Sequence, residues 1–232
     1  MRRRHPVELA LLVFLLAGCA ARLADPEGEL VAEPEEFAAR IRAETLPASP
    51  AQVDFAWTLE ERGSRVSGQG VGRVEAPDRA RIDLFGPRGE TYLSAALVAG
   101  SYRLPPAAAA VALPSPALLW SALGALVPPR DATLATANET PTGAELRYER
   151  PDGEVFVYTF SGSSDRGFRL SRLQRANRSG VLETVSLEHD DTGLLTRTRY
   201  RDWTQYRDLI LEFEGFREHD PFPSDIWRPD AV

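Results

Sequence analysis

From residue 51 onward, apolar and polar side chains trade places at every second position. In the segment 52–61, Val53, Phe55, Trp57 and Leu59 fall on one face, while Asp54, Thr58 and Glu60 fall on the other. That alternation is the pattern of a half-buried strand. SRVSGQGVGRVEA alternates more weakly around Val66, Val71 and Val74, and its glycines allow strong bending or close backbone approach. RARIDLFG sets Ala80, Ile82 and Leu84 opposite Arg81 and Asp83, and further strands are expected in ETYLSAALVAG and SYRL. After residue 131 the same rhythm returns in DATLATA, GAELRYER, EVFVYTFS, GFRLSRLQRA, VLETVSLEHD, LLTRTRY and DLILEFEGF. These are separated by the turn-forming PTG, PDG, SSDRG, NRSG and DDTG. Roughly a dozen consecutive antiparallel strands make one long meander, and a sheet of that length must curl or close to avoid exposed edges. The expected fold is therefore mainly β: a curled antiparallel sheet forming an incomplete β-barrel.

Two segments break the rhythm. PEEFAARIRAE places Pro34 at a helix start, Glu35 and Glu36 in the first turn, and Phe37 and Ile41 on one face. A short amphipathic helix is expected over 34–46, stopped by Pro47 and Pro50. PSPALLWSALGALVPPR sets Leu118, Leu119, Ala122, Leu123 and Leu126 at helical spacing, with no charge before Arg130 and prolines on both sides. It is too short to span a membrane and too apolar for solvent, so it should lie on the apolar face of the sheet. Whether it plugs a filled barrel or covers a hollow one is open at this level.

The first residues follow a different logic. Three arginines precede an apolar run over 6–18 that is about half to two-thirds of the ~20 residues a spanning helix needs. Charge, short apolar core and small residues, in that order, form a secretory signal. Leu16-Ala17-Gly18-Cys19 further resembles the lipobox of bacterial lipoprotein precursors. The resemblance implies cleavage before Cys19, acylation of its thiol, and anchoring to a membrane by two or three acyl chains. The expected layout is a signal peptide over 1–18, a polar tether over 19–33 and one domain over 34–232. Position two of the processed chain is Ala20 and not aspartate, which by resemblance favours the outer membrane, with the domain facing the periplasm.

Composition narrows the function. The chain has 232 residues and a formal net charge of −7, and Cys19 is its only cysteine. Packing and not disulfides must hold the fold. Removing residues 1–18 takes away three arginines and one glutamate, leaving −9, which disfavours a nucleic-acid partner. The two histidines of the processed chain, His189 and His219, lack the ligand spacing of a zinc site, and His189-Asp190-Asp191 reads as a turn before Thr192-Gly193. No nucleophile elbow or phosphate loop is present. The chain is expected to be no enzyme and to need neither cofactor nor metal.

The order of lipobox, short helix, meander, proline-flanked apolar helix and further meander resembles the LolA/LolB family of lipoprotein carriers and receptors, as does the local run ARIDLFGPRGETYLSAAL. The resemblance spans about residues 34–222. It implies a half-barrel covered by both helices, with an apolar cavity for the acyl chains of lipids or lipoproteins, a role in lipoprotein localisation, and a periplasmic carrier as a partner of a monomeric receptor. Residues expected to line the cavity are Phe55, Trp57 and Leu59; Ile82 and Leu84; Leu118, Leu119, Trp120 and Leu123; and Leu146 and Tyr148. The protruding apolar loop of the anchored receptor has no long counterpart here, and only Phe85 or Leu104-Pro105-Pro106 would serve. An anchored, non-catalytic interaction domain with no cavity is the alternative expectation.

Overall fold

The structure is a computed structural model and describes residue 23 and residues 28–108 and 113–229. The expected signal segment, Cys19 and most of the expected tether lie outside the described residues. In chain order the elements are β1 (Glu29–Leu30), α1 (Pro34–Thr45), β2 (Ala51–Glu61), β3 (Ser64–Glu75), β4 (Arg79–Phe85), β5 (Thr91–Val98), β6 (Ser101–Arg103) and α2 (Pro116–Ala122). They continue with β7 (Thr133–Thr140), β8 (Gly143–Glu149), β9 (Val155–Ser163), β10 (Gly167–Asn177), β11 (Gly180–His189), β12 (Leu195–Asp202) and β13 (Arg207–Glu218).

All thirteen strands form one antiparallel sheet in the order β1-β7-β8-β9-β10-β11-β12-β13-β2-β3-β4-β5-β6. The sheet does not close: β1 and β6 are its edges, so the barrel is incomplete, as the strand count predicts. The last strand, β13, pairs with β2 along its whole length, from Arg207 opposite Glu61 to Glu218 opposite Ala51. Register shifts within β13 and β10 bend the strands where the sheet curls. The glycines of β3 serve the close approach expected of them. A Cβ on Gly70 would lie 2.2 Å from the Phe55 ring, and one on Gly68 would lie 1.9 Å from the Phe85 carbonyl oxygen.

The two helices occupy the concave side. α1 has Pro34 in its first turn with Glu35 and Glu36, and buries Phe37, Ala38 and Ile41 against the sheet. α2 is shorter than the 118–126 spacing suggests. It ends at Ala122 because Gly124, at φ +86°, turns the chain: the Ala125 N–H donates to Trp120 O at 3.0 Å and the Gly124 N–H to Ser121 O at 2.9 Å. This pair of bonds is a Schellman stop. From the sheet, the Thr198 hydroxyl donates to Ala122 O at 3.0 Å, so the last turn is held from β12 as well. Leu126, past the helix, is still fully buried, its N–H donating to Thr45 Oγ1 at 3.1 Å.

Residues 117–122 are all buried, and they divide the interior in two. Ala117, Leu118 and Ala122 pack with α1 and with β7–β12, whereas Leu119 and Trp120 pack with β2–β5. Full burial of each leucine stabilises by about 1.5–3 kcal/mol, so the helix is fixed mainly by its two apolar sides.

Two segments near the limits of the described residues also dock. Glu29 and Leu30 pair with Glu139 and Asn138 of β7. The C-terminal 222–227 segment lies on the outer face of β3–β5. There Arg81 donates to Ile226 O and Arg103 to Trp227 O at 3.3 Å, while Phe222 and Trp227 are buried edge to face. Beneath them, Asp83 is buried and accepts from Arg81, from Arg73 at 2.7 Å and from the Ser94 hydroxyl at 2.7 Å. β4 is thus buried on both faces, which the alternation of RARIDLF alone does not reveal.

Candidate functional site

The β2–β3 turn, the β4–β5 connection and the β12–β13 turn gather at one end of the half-barrel. Between them and α2 lies an open apolar cavity of about 470 Å³, within the range of small-ligand sites. Period-two alternation aims Leu59 of β2, Ile82 and Leu84 of β4, and Leu209 and Leu211 of β13 inward, and α2 supplies Leu118, Leu119 and Ala122 as the facing wall. Leu93 and Ala95 of β5 complete the strand side.

Polar groups are confined to the rim and to one flank. At the rim, Arg207 and Glu61 form an ion pair at 2.9 Å, beside Arg62 and Gln205. On the flank, two of the three lining tyrosines have their hydroxyls engaged: Tyr102 donates to Pro114 O at 2.9 Å and Tyr200 to Glu183 Oε1 at 2.5 Å, while the third, Tyr92, is exposed at the rim. Burial raises the pKa of Tyr102 and Tyr200, and the neighbouring Glu183 adds to it. Glu183 is itself shifted upward by burial, against the opposing pull of the Tyr200 hydrogen bond and of Arg175, whose Nε lies 2.7 Å from its carboxylate. With the Tyr102 and Tyr200 hydroxyls engaged, the inner wall presents mainly hydrocarbon and aromatic surface. Covering such a surface with hydrocarbon releases water favourably. Among the described residues no group of three or more His, Cys, Asp or Glu side chains is placed to hold a metal ion.

Of the residues expected at the cavity, Leu59, Ile82, Leu84, Leu118 and Leu119 meet there. The others stand elsewhere. Phe55 is fully buried behind the wall, edge-on to Phe213 at 5.8 Å. Trp57 is pinned by its indole N–H, which donates to Gln69 O at 2.9 Å and Phe85 O at 3.1 Å. Trp120 faces a polar cavity of about 780 Å³ at the seam between the sheet edges, among Arg42, Arg130 and Arg150. Leu123 reaches a third cavity of about 430 Å³ at the opposite end of the barrel. Leu146 and Tyr148 belong to the core under α1 and α2, Tyr148 edge-on to Tyr158. Cys19 lies outside the described residues.

Sequence reasoning passed over Leu93, Tyr102, Tyr200, Leu209 and Leu211. The signal for Leu209 and Leu211 was present in the alternation of DLILEFEGF, but choosing them requires knowing that β13 pairs with β2. Of the loop residues expected to serve as a protrusion, Phe85, Leu104 and Pro105 are half-buried and Pro106 is exposed. The large apolar side chains exposed at the cavity end are Tyr92, Trp203 and Tyr206, the last at 81%. Trp203 and Tyr206 sit in the β12–β13 turn, where the guanidinium of Arg201 lies 5.3 Å from the centre of the Trp203 ring.

No family model and no curated protein matches this sequence. Solved structures do match the fold. A LolA superfamily protein from Nitrosomonas europaea superposes with a TM-score of 0.58 at 13% identity, covering 86% of this chain and 99% of that one. A DUF1329 family protein from Desulfovibrio piger gives 0.56 at 11% identity, with 88% and 98% covered. An outer membrane lipoprotein-sorting protein domain from Vibrio parahaemolyticus gives 0.52 at 10% identity, with 84% and 96% covered. At these identities the likeness is one of fold: the chain has a LolA/LolB-like half-barrel.

Proposed function

We propose that this half-barrel is an outer-membrane-anchored, periplasm-facing lipoprotein domain that binds the acyl chains of lipids or lipoproteins and acts in lipoprotein localisation without catalysis. The observation that carries the proposal is the apolar cavity beside α2, whose charged groups stand at its rim, with Arg207 paired to Glu61. Each CH₂ moved from water into such a site is worth about 0.8 kcal/mol, so affinity needs no specific polar contact. The fold likeness to a lipoprotein-sorting domain is consistent with this reading, and the Leu16-Ala17-Gly18-Cys19 motif supports acyl anchoring at Cys19. A displaceable cover is not required, because the cavity is already open at the rim.

The test uses the full chain with Cys19→Ser, purified without lipid, titrated with a fluorescent fatty-acid probe and analysed by mass spectrometry for what co-purifies. Saturable binding that Leu59→Trp weakens supports the proposal. A chain that binds no probe, carries no lipid and retains a protein partner through the Trp203–Tyr206 turn would instead favour the interaction-domain reading.

A further inference from the structure

The cavity of about 430 Å³ reached by Leu123 opens at the end of the barrel opposite the apolar cavity beside α2. Its floor is apolar, built from Val53 of β2, Phe213 of β13 and Leu123 just past α2. Leu194 and Phe216, two of the few large apolar side chains left exposed (57% and 55%), stand at its mouth. One cation borders it. Arg169 of β10 lies across Gly193, where a Cβ would come within 2.1 Å of its Nε. The Arg169 guanidinium makes no hydrogen bond or ion pair with any described residue, although it lies among carboxylates.

Those carboxylates are otherwise engaged or turned to solvent. Glu44 accepts from the Phe168 N–H at 2.8 Å. Asp190 Oδ1 accepts from the Thr192 hydroxyl at 2.6 Å and from the Thr192 and Leu194 N–H groups, closing the turn expected here as an Asx turn. Glu214 is exposed at the rim. His189, beside Arg169, is half-buried, and burial together with the Arg169 charge pushes its pKa down, so it faces the cavity neutral near pH 7. The combination is an apolar trough with one unpartnered guanidinium at its border.

We infer that this cavity is a second binding site, for an anionic single-chain amphiphile whose hydrocarbon lies along Val53, Leu123 and Phe213 and whose carboxylate or phosphate is held by Arg169. The inference goes beyond the single cavity proposed above. It gains from the anchoring reading, because β1 joins β7 beside Glu139, at this same end of the barrel. From Cys19 to Gly28 the chain spans at most about 30 Å, which holds this mouth near the bilayer that would supply such a ligand.

The test uses calorimetry on the full chain with Cys19→Ser, below the micelle concentration of each probe: laurate, dodecyl phosphate, dodecanol and inorganic phosphate. Leu59→Trp, which fills the first cavity, is the background. Laurate and dodecyl phosphate are expected to bind this background, and Arg169→Gln to weaken both about tenfold, the scale of a lost charge-assisted hydrogen bond. Dodecanol binding should not change with Arg169→Gln, and Arg169→Lys should restore part of the laurate affinity. Arg169 is exposed, so thermal melting of the variant should match the parent. The inference is overturned if no laurate binds the Leu59→Trp background, if Arg169→Gln weakens laurate and dodecanol equally, or if inorganic phosphate alone displaces laurate. Failure of the first cavity has its own readout: Leu59→Trp then removes no probe binding from the Cys19→Ser parent, while the Arg169 effect persists.

Discussion

Leu209 of β13 stands directly opposite Leu59 of β2, and both line the apolar cavity facing α2. Neighbours across that pairing come from the two ends of the domain, so the cavity exists only when both halves of the chain are in place. Leu209→Trp should therefore act as Leu59→Trp does, lowering fatty-acid probe affinity by about tenfold or more through loss of buried CH₂ groups. A fluorescence titration of each variant checks this, and unchanged affinity in both would remove the cavity from the ligand's path.

Leu118 touches both the cavity and the core under α1, and is 1% exposed. Leu118→Ala should cost about 2–5 kcal/mol in urea unfolding, whereas Leu59→Ala, half-buried at the strand end, should cost about 1. Equal costs would mean that α2 is not packed as described.

Gly70 leaves room for the Phe55 ring. Gly70→Ala should destabilise by about 1–3 kcal/mol by overpacking. Adding Phe55→Leu should return part of that loss, a coupling that a double-mutant cycle measures.

Asp83 is the shared acceptor for Arg81, Arg73 and Ser94 under the C-terminal segment. Asp83→Asn leaves two arginines facing an uncharged amide. Because both guanidinium groups keep some solvent contact, the expected loss is about 2–3 kcal/mol, below that of a fully buried pair. Trp227 should become more solvent-exposed, read as a red shift in tryptophan emission.

Glu183 carries a pH signature. Burial raises its native pKa above the unfolded value near 4.5, so between the two values the native state holds more protons than the unfolded state. Its contribution to stability therefore falls as pH rises through that window and is fully favourable only below it. Urea midpoints measured from pH 4 to 7 should fall less steeply with pH in Glu183→Gln than in the parent.

The period-two runs contain almost all of the strands, because each exposes one face and buries the other. They do not contain the sheet order. Nothing in DLILEFEGF marks it as the partner of QVDFAWTLEE and not of a nearer strand, and the cavity residues Leu209 and Leu211 follow from that pairing alone. The α2 boundary was misjudged for a local reason: Leu123 and Leu126 keep helical spacing, but Gly124 in the left-handed region ends the helix before them. Phe55 and Trp57 share a face with Leu59, yet the glycines of β3 let β3 press onto them and seal them from the cavity. The burial of β4 on its outer face depends on a tail more than a hundred residues away, which no local pattern can signal.

The pairing of β2 with β13 also fixes a timetable. During synthesis β2 emerges early and keeps one edge unsatisfied until some 150 further residues have appeared, since its partner is the last of the described strands. A sheet assembled from such distant segments folds slowly and exposes pairing edges while it waits. Loss of the final strand to early termination or proteolysis would therefore not trim the domain but leave two curled half-sheets with complementary raw edges, each able to pair with a neighbour's.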